Sequence, residues 1–166
     1  MTELFTNGTF YSPTSGPLLL PQVLDAIRLY IEEKPERSYE IIVGCDSSAT
    51  EDPSFPVAIV LLRKGMGGRF FLKRIAYPRR KFYSLQERIL NEVVLSCELA
   101  LWLREELKKT LDGATYTFEY IHADVGQHGP TKEMIKDVTG MIRGNGFEPV
   151  IKPFSFAASS VADRFS

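Results

Sequence analysis

Apolar and polar positions change their period several times along the chain. From Pro21 the residues Val23, Ile27, Tyr30 and Ile31 recur at helical spacing, and Lys34-Pro35 closes that helix. Tyr39 to Cys45 is a short β-branched run between polar residues and predicts a strand. Pro56 to Arg63 predicts a second. Lys64-Gly65-Met66-Gly67-Gly68 has the glycine content of a hairpin, and Arg69 to Tyr77 returns as a third, which makes an antiparallel meander. Ser84 and Glu87 form a capping-box pattern at the head of a long helix running to about Leu111, before Asp112-Gly113. Thr115 to Ala123 is the fourth strand. Gly129-Pro130-Thr131 opens a second helix of this part, which Gly144-Asn145-Gly146 closes. Phe147 to Lys152 is the fifth strand, and Ser155 to about Arg164 reads as a short terminal helix. The first 20 residues, with Gly8, Ser12-Pro13, Ser15 and Gly16-Pro17, read as an irregular lead-in.

From Tyr39 the order is therefore β-β-β-α-β-α-β-α. A meander followed by right-handed crossovers gives an α/β fold on a five-stranded mixed sheet, with an extra N-terminal helix. The first strand is expected to be central with the fourth beside it. No repeat or linker divides the chain, so residues 1–38 are expected to pack, as lead-in and helix, on a domain of residues 39–166, one globular domain overall.

The topology gives four acidic residues a common address. Asp46 follows Ile41-Ile42-Val43-Gly44-Cys45, and Asp124 follows Phe118-Glu119-Tyr120-Ile121-His122-Ala123. If those strands are parallel neighbours, both acids leave the same sheet edge, outside the carboxyl ends where ligands bind in open α/β sheets. Glu92 lies inside the apolar stripe Leu85, Ile89, Ser96, Leu99, Ala100, Leu103 and Leu107 of the long helix, whereas Glu87 and Glu98 point away from it. A carboxylate on a core face needs a cation, a hydrogen-bond network or solvent. Asp163 falls in the small-residue run after Ala157, a helix able to pack closely on the sheet edge. Any one of these is ordinarily a cap or turn former. Four elements each supplying one acid predict repulsion, raised carboxyl pKa values and relief by a bound cation. Oxygen-only ligation suits Mg²⁺ or Mn²⁺, and no Cys/His cluster with zinc spacing competes.

Composition adds bounds. At 44% hydrophobic and 25% charged, the chain has the make-up of a globular protein. The apolar run that contains Ala58 to Leu62 is too short to span a membrane. The N-terminus lacks the basic and apolar regions of a signal peptide, and Cys45 and Cys97 sit in apolar stretches that suit buried thiols, so a cytoplasmic location is expected. With 20 basic and 21 acidic residues, charge alone does not make a coat for nucleic acid. Locally, Lys73, Arg74, Arg79, Arg80 and Lys81 interleave with Tyr77, Phe82 and Tyr83, a pattern that suits phosphate contacts and base stacking as well as a solvated strand end.

The order of elements and acids resembles the ribonuclease H-like superfamily, and the sequence looks more specifically like its YkuK-type family. The resemblance covers nearly the whole chain. It rests on Gly44-Cys45-Asp46-Ser47, on Leu85 to Ala100, on Ile121-His122-Ala123-Asp124-Val125-Gly126, on Gly140-Met141-Ile142, and on Ile151-Lys152-Pro153 through Ala162-Asp163-Arg164. It implies a nuclease relationship, with Asp46, Glu92, Asp124 and Asp163 as catalytic metal ligands. Asp46 would bridge two ions about 3.5–4 Å apart, Glu92 and Asp124 would hold the water-activating ion, and Asp163 the other. The helix Gln22 to Glu33 stands outside the superfamily core, and could cover a substrate groove or join two copies in a homodimer.

His128, in the loop after Asp124, is placed to move a proton or touch phosphate, or is a plain loop residue. His122 reads as a packing histidine. Lys152, at the end of the fifth strand, could neutralise a phosphate or be a surface lysine. Ser47, Ser48 and Ser155 lack a nucleophile elbow, and Gly65 to Gly68 lacks the Lys-Ser/Thr of a phosphate loop. The leading expectation is a Mg²⁺- or Mn²⁺-dependent nuclease of RNA, DNA or hybrid. Its rivals are a non-catalytic nucleic-acid-binding or adaptor module, and a metal-dependent phosphatase on a small substrate.

Overall fold

The computed structural model describes residues 3–113 and 115–158. A short helix α1 (Glu3–Thr6) leads into strands β1 (Phe10–Ser12) and β2 (Gly16–Leu18), and then helix α2 (Leu20–Glu33). The meander is β3 (Tyr39–Cys45), β4 (Phe55–Arg63) and β5 (Gly68–Ile75). Helix α3 (Leu85–Thr110), strand β6 (Tyr116–His122), a 3₁₀ turn at Lys132–Met134, helix α4 (Ile135–Gly144) and strand β7 (Glu148–Val150) follow. The strands pair in the order β2-β1-β5-β4-β3-β6-β7.

The mixed sheet is thus present with seven strands among the described residues, not the expected five. The addition comes from the supposed lead-in: β1 and β2 form a hairpin, and Tyr11 of β1 pairs with Leu72 of β5. Phe10 and Phe5 are fully buried in the main core, so this segment is anchored by aromatic burial rather than by length. β3 lies between β4 and β6, antiparallel to the first and parallel to the second. Because β4 is antiparallel to both neighbours and β7 is parallel to β6, strands β3, β5, β6 and β7 all end at one edge.

Alternation sorts the strand residues onto two faces. Ile41, Val43, Cys45, Val57, Ile59 and Phe71 face α2 and α3 and form the main core with Ile27, Ile89, Leu99 and Leu103. Ile42 and Val60 face the other way, against Ala157. The β3–β6 register contains one irregularity: Ile41 pairs with Phe118 but Ile42 pairs with Tyr120, so Glu119 is skipped. Phe118 and Ile121 consequently both serve the main core, and His122 turns to the opposite face, where its Nδ1 accepts the Ala157 N–H at 3.1 Å.

α2 packs its apolar stripe into the same core as α3. Its last turn is tied to the amino end of β3. Arg63 donates to Tyr30 O at 2.8 Å and to the Tyr39 hydroxyl at 3.0 Å, while that hydroxyl donates to Lys34 O at 2.8 Å. Carbonyls left free at a helix C-terminus are satisfied in this way by a cation and a phenol. No helix among the described residues is long and apolar enough to cross a membrane. Residues 159–166 lie outside the described part, and with them most of the expected terminal helix.

Candidate functional site

Two of the predicted acids, Asp46 and Asp124, follow β3 and β6 at the shared carboxyl edge of β3, β5, β6 and β7. Gly44 lies opposite His122, so Asp46 and Asp124 stand level, each two residues beyond that pair. Asp46 is buried, and its N–H donates to Pro56 O at 3.4 Å. Asp124 is largely enclosed, with 17% of its side chain exposed.

α3 brings Glu92 to the same place. The Ser84 hydroxyl accepts the Glu87 N–H at 3.1 Å, which starts the helix as its sequence predicts. Two turns later Glu92 faces the sheet, 2% exposed. Its Oε2 accepts the Ser47 N–H at 2.8 Å and the Ser47 hydroxyl at 2.6 Å. Arg88, one turn before Glu92, donates to Ser47 Oγ and to Ser48 O, each at 3.3 Å. Burial pushes the Glu92 carboxyl up from 4.5 to about 7; the Ser47 bonds and Arg88 pull it down, and Asp124 pushes it up. Burial thus favours the protonated form of this carboxyl, and acids shifted in this direction are common at functional sites.

Ser47 and Arg88 are the members that residue patterns did not single out. Arg88 sits four residues before Glu92 on one helix face, a spacing that is itself a signal. Ser47 gives no such sign, since its role depends on α3 reaching the end of β3.

Asp124 Oδ1 lies 3.3 Å from Lys152 Nζ, yet it is buried and accepts no hydrogen bond. The two charges attract without the alignment a hydrogen bond requires. Lys152 is thus drawn to the site from the end of β7. The Lys152 N–H donates to Val125 O at 2.8 Å, and a Cβ on Gly126 would come within 3.0 Å of Lys152 Cβ, so the loop after β6 lies directly against it. His128 is exposed in that loop. His122 is a packing histidine: burial holds it down at about 4, and its ring stands edge-on to Phe156 at 4.7 Å.

The basic stretch divides. Arg74, Arg79, Arg80 and Lys81 are exposed. Arg80 lies over the Phe82 ring at 4.2 Å, and Lys81 pairs with Asp52 at 3.1 Å. Lys73 is instead 7% exposed, with Nζ enclosed near the Phe10 ring and without a hydrogen bond; burial lowers its pKa. It does not belong to the exposed basic surface. Asp163 lies outside the described residues. Cys45 and Cys97 are buried free thiols; burial raises both, Cys97 to about 11.

The model of the family described as "Ribonuclease H-like" matches residues 22–166. The chain belongs to the ribonuclease H-like family. It is also similar to "Uncharacterized protein YkuK" of Bacillus subtilis (strain 168), with 33% identity over 167 residues that cover 95% of this chain and 96% of that protein. No solved structure matches significantly. The ribonuclease H-like match spans Asp46, Glu92, Asp124 and Asp163 together.

Among the described residues, no three His, Cys, Asp or Glu side chains assemble into a group that could hold a metal ion. The donor chemistry nonetheless suits a hard divalent cation. Asp124 Oδ1 is a buried carboxylate oxygen without a hydrogen bond, and Glu92 is a carboxyl that burial, with a smaller push from Asp124, moves toward its protonated form.

Proposed function

We propose that this ribonuclease H-like chain is a divalent-metal-dependent nuclease that hydrolyses phosphodiester bonds of nucleic acid at the carboxyl edge of β3 and β6. One observation carries the reading. Two carboxyl groups are enclosed at this edge: Glu92, raised to about 7 mainly by burial and in lesser part by Asp124, and Asp124, with a buried Oδ1 that accepts no hydrogen bond. A cation would stabilise both as carboxylates. Asp46, Glu92, Asp124 and, from the terminal segment, Asp163 would hold Mg²⁺ or Mn²⁺, two ions in the two-metal arrangement. Such ions supply Lewis acidity toward the phosphoryl oxygens and a water of lowered pKa.

The remaining work falls to the chain. Ser47 fixes one Glu92 oxygen through two hydrogen bonds and so sets the direction of the other. Arg88 holds residues 47 and 48 in place from the same helix. Lys152 brings a positive charge to Asp124 and is half exposed, which suits it to a phosphate oxygen. His128 is free in the adjoining loop to pass a proton through its imidazole. Exposed Arg74, Arg79, Arg80 and Lys81 supply charge for the backbone of a bound strand.

Labelled single-stranded RNA, duplex DNA and RNA–DNA hybrid incubated with Mn²⁺ or Mg²⁺ test the proposal. Cleavage that needs the metal and disappears in Asp46→Asn is the expected result. A second reading, a non-catalytic nucleic-acid-binding module, draws on the ion pair that already neutralises Asp124 and on the Ser47 bonds that already satisfy Glu92. Binding weakened by Arg79→Ala/Arg80→Ala, with no cleavage in either metal and no rise in melting temperature with Mn²⁺, selects it.

A further inference from the structure

Next to Asp124, on the side of β7, a cleft of about 580 Å³ opens between the loop after β6 and the turn after β7. Gln127 and His128 form one wall; Ile151, Lys152 and Phe154 form the other. The cleft is framed by main-chain bonds, with the Lys152 N–H on Val125 O at 2.8 Å and the Phe154 N–H on Ile151 O at 3.0 Å. Phe154 is 74% exposed. A ring left that open contributes little to its own fold, so it offers its face to something else.

We propose that this cleft receives an unpaired nucleobase, and that the nucleic acid served by the neighbouring acids is therefore single-stranded. The inference rests on the nucleic-acid reading above and names its substrate class. The lining has the mixture a base requires. Phe154 provides a stacking face, the Gln127 amide and the His128 imidazole provide donors and acceptors for the base edge, and Ile151 provides apolar cover. Lys152, shared between the cleft and Asp124, brings positive charge where the attached phosphate would lie. A bare phosphate would leave Phe154 and Ile151 uncovered. A purely apolar ligand would strand the amide and the imidazole. A base inside a duplex is stacked and paired, and enters such a cleft only after extrusion.

The arrangement across the edge agrees with a strand lying over it. Basic residues 79–81 follow β5, the acids end β3 and β6, and the cleft follows β7. Lys81 pairs with Asp52 in the connection from β3 to β4, so the basic residues lie on the opposite side of β3 from β6, β7 and the cleft. One end of a bound strand would rest on arginines, its middle on the acids, and a base at its other end on Phe154.

Fluorescence anisotropy of the full chain with short labelled oligonucleotides tests this, in EDTA and in Ca²⁺. Single strands and blunt duplexes of one sequence are compared for wild type, Phe154→Ala, Phe154→Trp and Gln127→Ala. The expected result is tighter binding of single strands than duplexes, and a loss of about tenfold in single-strand affinity for Phe154→Ala. Phe154→Trp should keep the affinity and report it by quenching of the new indole. Unchanged melting temperatures show that the variants remain folded. Equal binding of single strand and duplex, or single-strand affinity indifferent to Phe154→Ala, overturns the cleft proposal and leaves the nucleic-acid reading standing. No binding of any nucleic acid by the wild type overturns that reading, and the cleft assignment falls with it.

Discussion

Glu92 spends its hydrogen bonds on Ser47 and its burial against the sheet, so its ionisation bears directly on stability. Its folded-state pKa of about 7 exceeds the ordinary value of 4.5, so the folded chain holds this proton more tightly than the unfolded one. The stability it contributes is complete below pH 4.5 and is lost as pH rises through 7, on the order of 3 kcal/mol. Gln at this position keeps an acceptor oxygen and carries no charge. In EDTA, Glu92→Gln should gain on wild type in melting temperature as pH is raised from 5 to 8, and Mn²⁺ should narrow the gap. Parallel pH curves for the two proteins would show that Glu92 is not strained. The acid itself was legible in the sequence because it interrupts an apolar stripe. Ser47 was not, because only the tertiary approach of α3 makes it a partner. Lys73 misled for the same reason: its neighbours read as a solvated basic run, while Phe10 and the chain around Gly8 enclose its ammonium.

Among the elements, the meander, the long helix and the parallel neighbourhood of β3 and β6 followed from periodicity and order. The hairpin of β1 and β2 did not. Strands of three residues are too short to show alternation, and Gly16, at a φ of +73°, looks like loop punctuation though it closes the hairpin. Its importance is measurable: Phe10→Ala should cost about 3–5 kcal/mol in chemical denaturation, as for other buried phenylalanines. A cost near zero would return the segment to a loose lead-in. Two glycines give opposite expectations. A Cβ on Gly44 would lie 2.8 Å from backbone atoms of both Ala157 and Ala158, so Gly44→Ala should destabilise by about 1–3 kcal/mol and speed amide exchange at residues 157 and 158. Gly140, inside α4 with open space around it, should gain roughly 0.5–1 kcal/mol as alanine. A neutral Gly44→Ala would mean that Ala157 packs on β3 more loosely than its backbone implies, and a neutral Gly140→Ala that α4 gains nothing from helix propensity there.

Over the whole molecule, near-zero net charge makes position matter more than total. Twenty basic residues are balanced by 21 acidic ones, so attraction for a polyanion must come from how the exposed cations are grouped. Arg79→Ala/Arg80→Ala should reduce the salt dependence of oligonucleotide binding by about one to two units of slope, each phosphate contact contributing roughly 0.7–0.9. A slope identical to wild type would place the strand elsewhere on the surface. The sheet's centre could be read from the sequence because crossover handedness and strand order constrain it, whereas its outer strands depend on burial of single aromatics. The skipped residue in β6 has a consequence for how this molecule tolerates change in length. Before Glu119 the even-numbered side chains turn inward; after it the odd-numbered ones do. The strand is in effect written in two frames, and the chemistry at its end is read in the second. Replacing Glu119 leaves that frame intact, since the residue is exposed and unpaired with β3. Deleting it would leave one uninterrupted alternation, with Ile42 still opposite Tyr120, Val43 opposite Ile121 and Gly44 opposite His122, so Ile121 stays in the core and Asp124 stays level with Asp46. A relative one residue shorter here would keep the site on a regular strand, whereas an insertion or deletion at a paired position would move it.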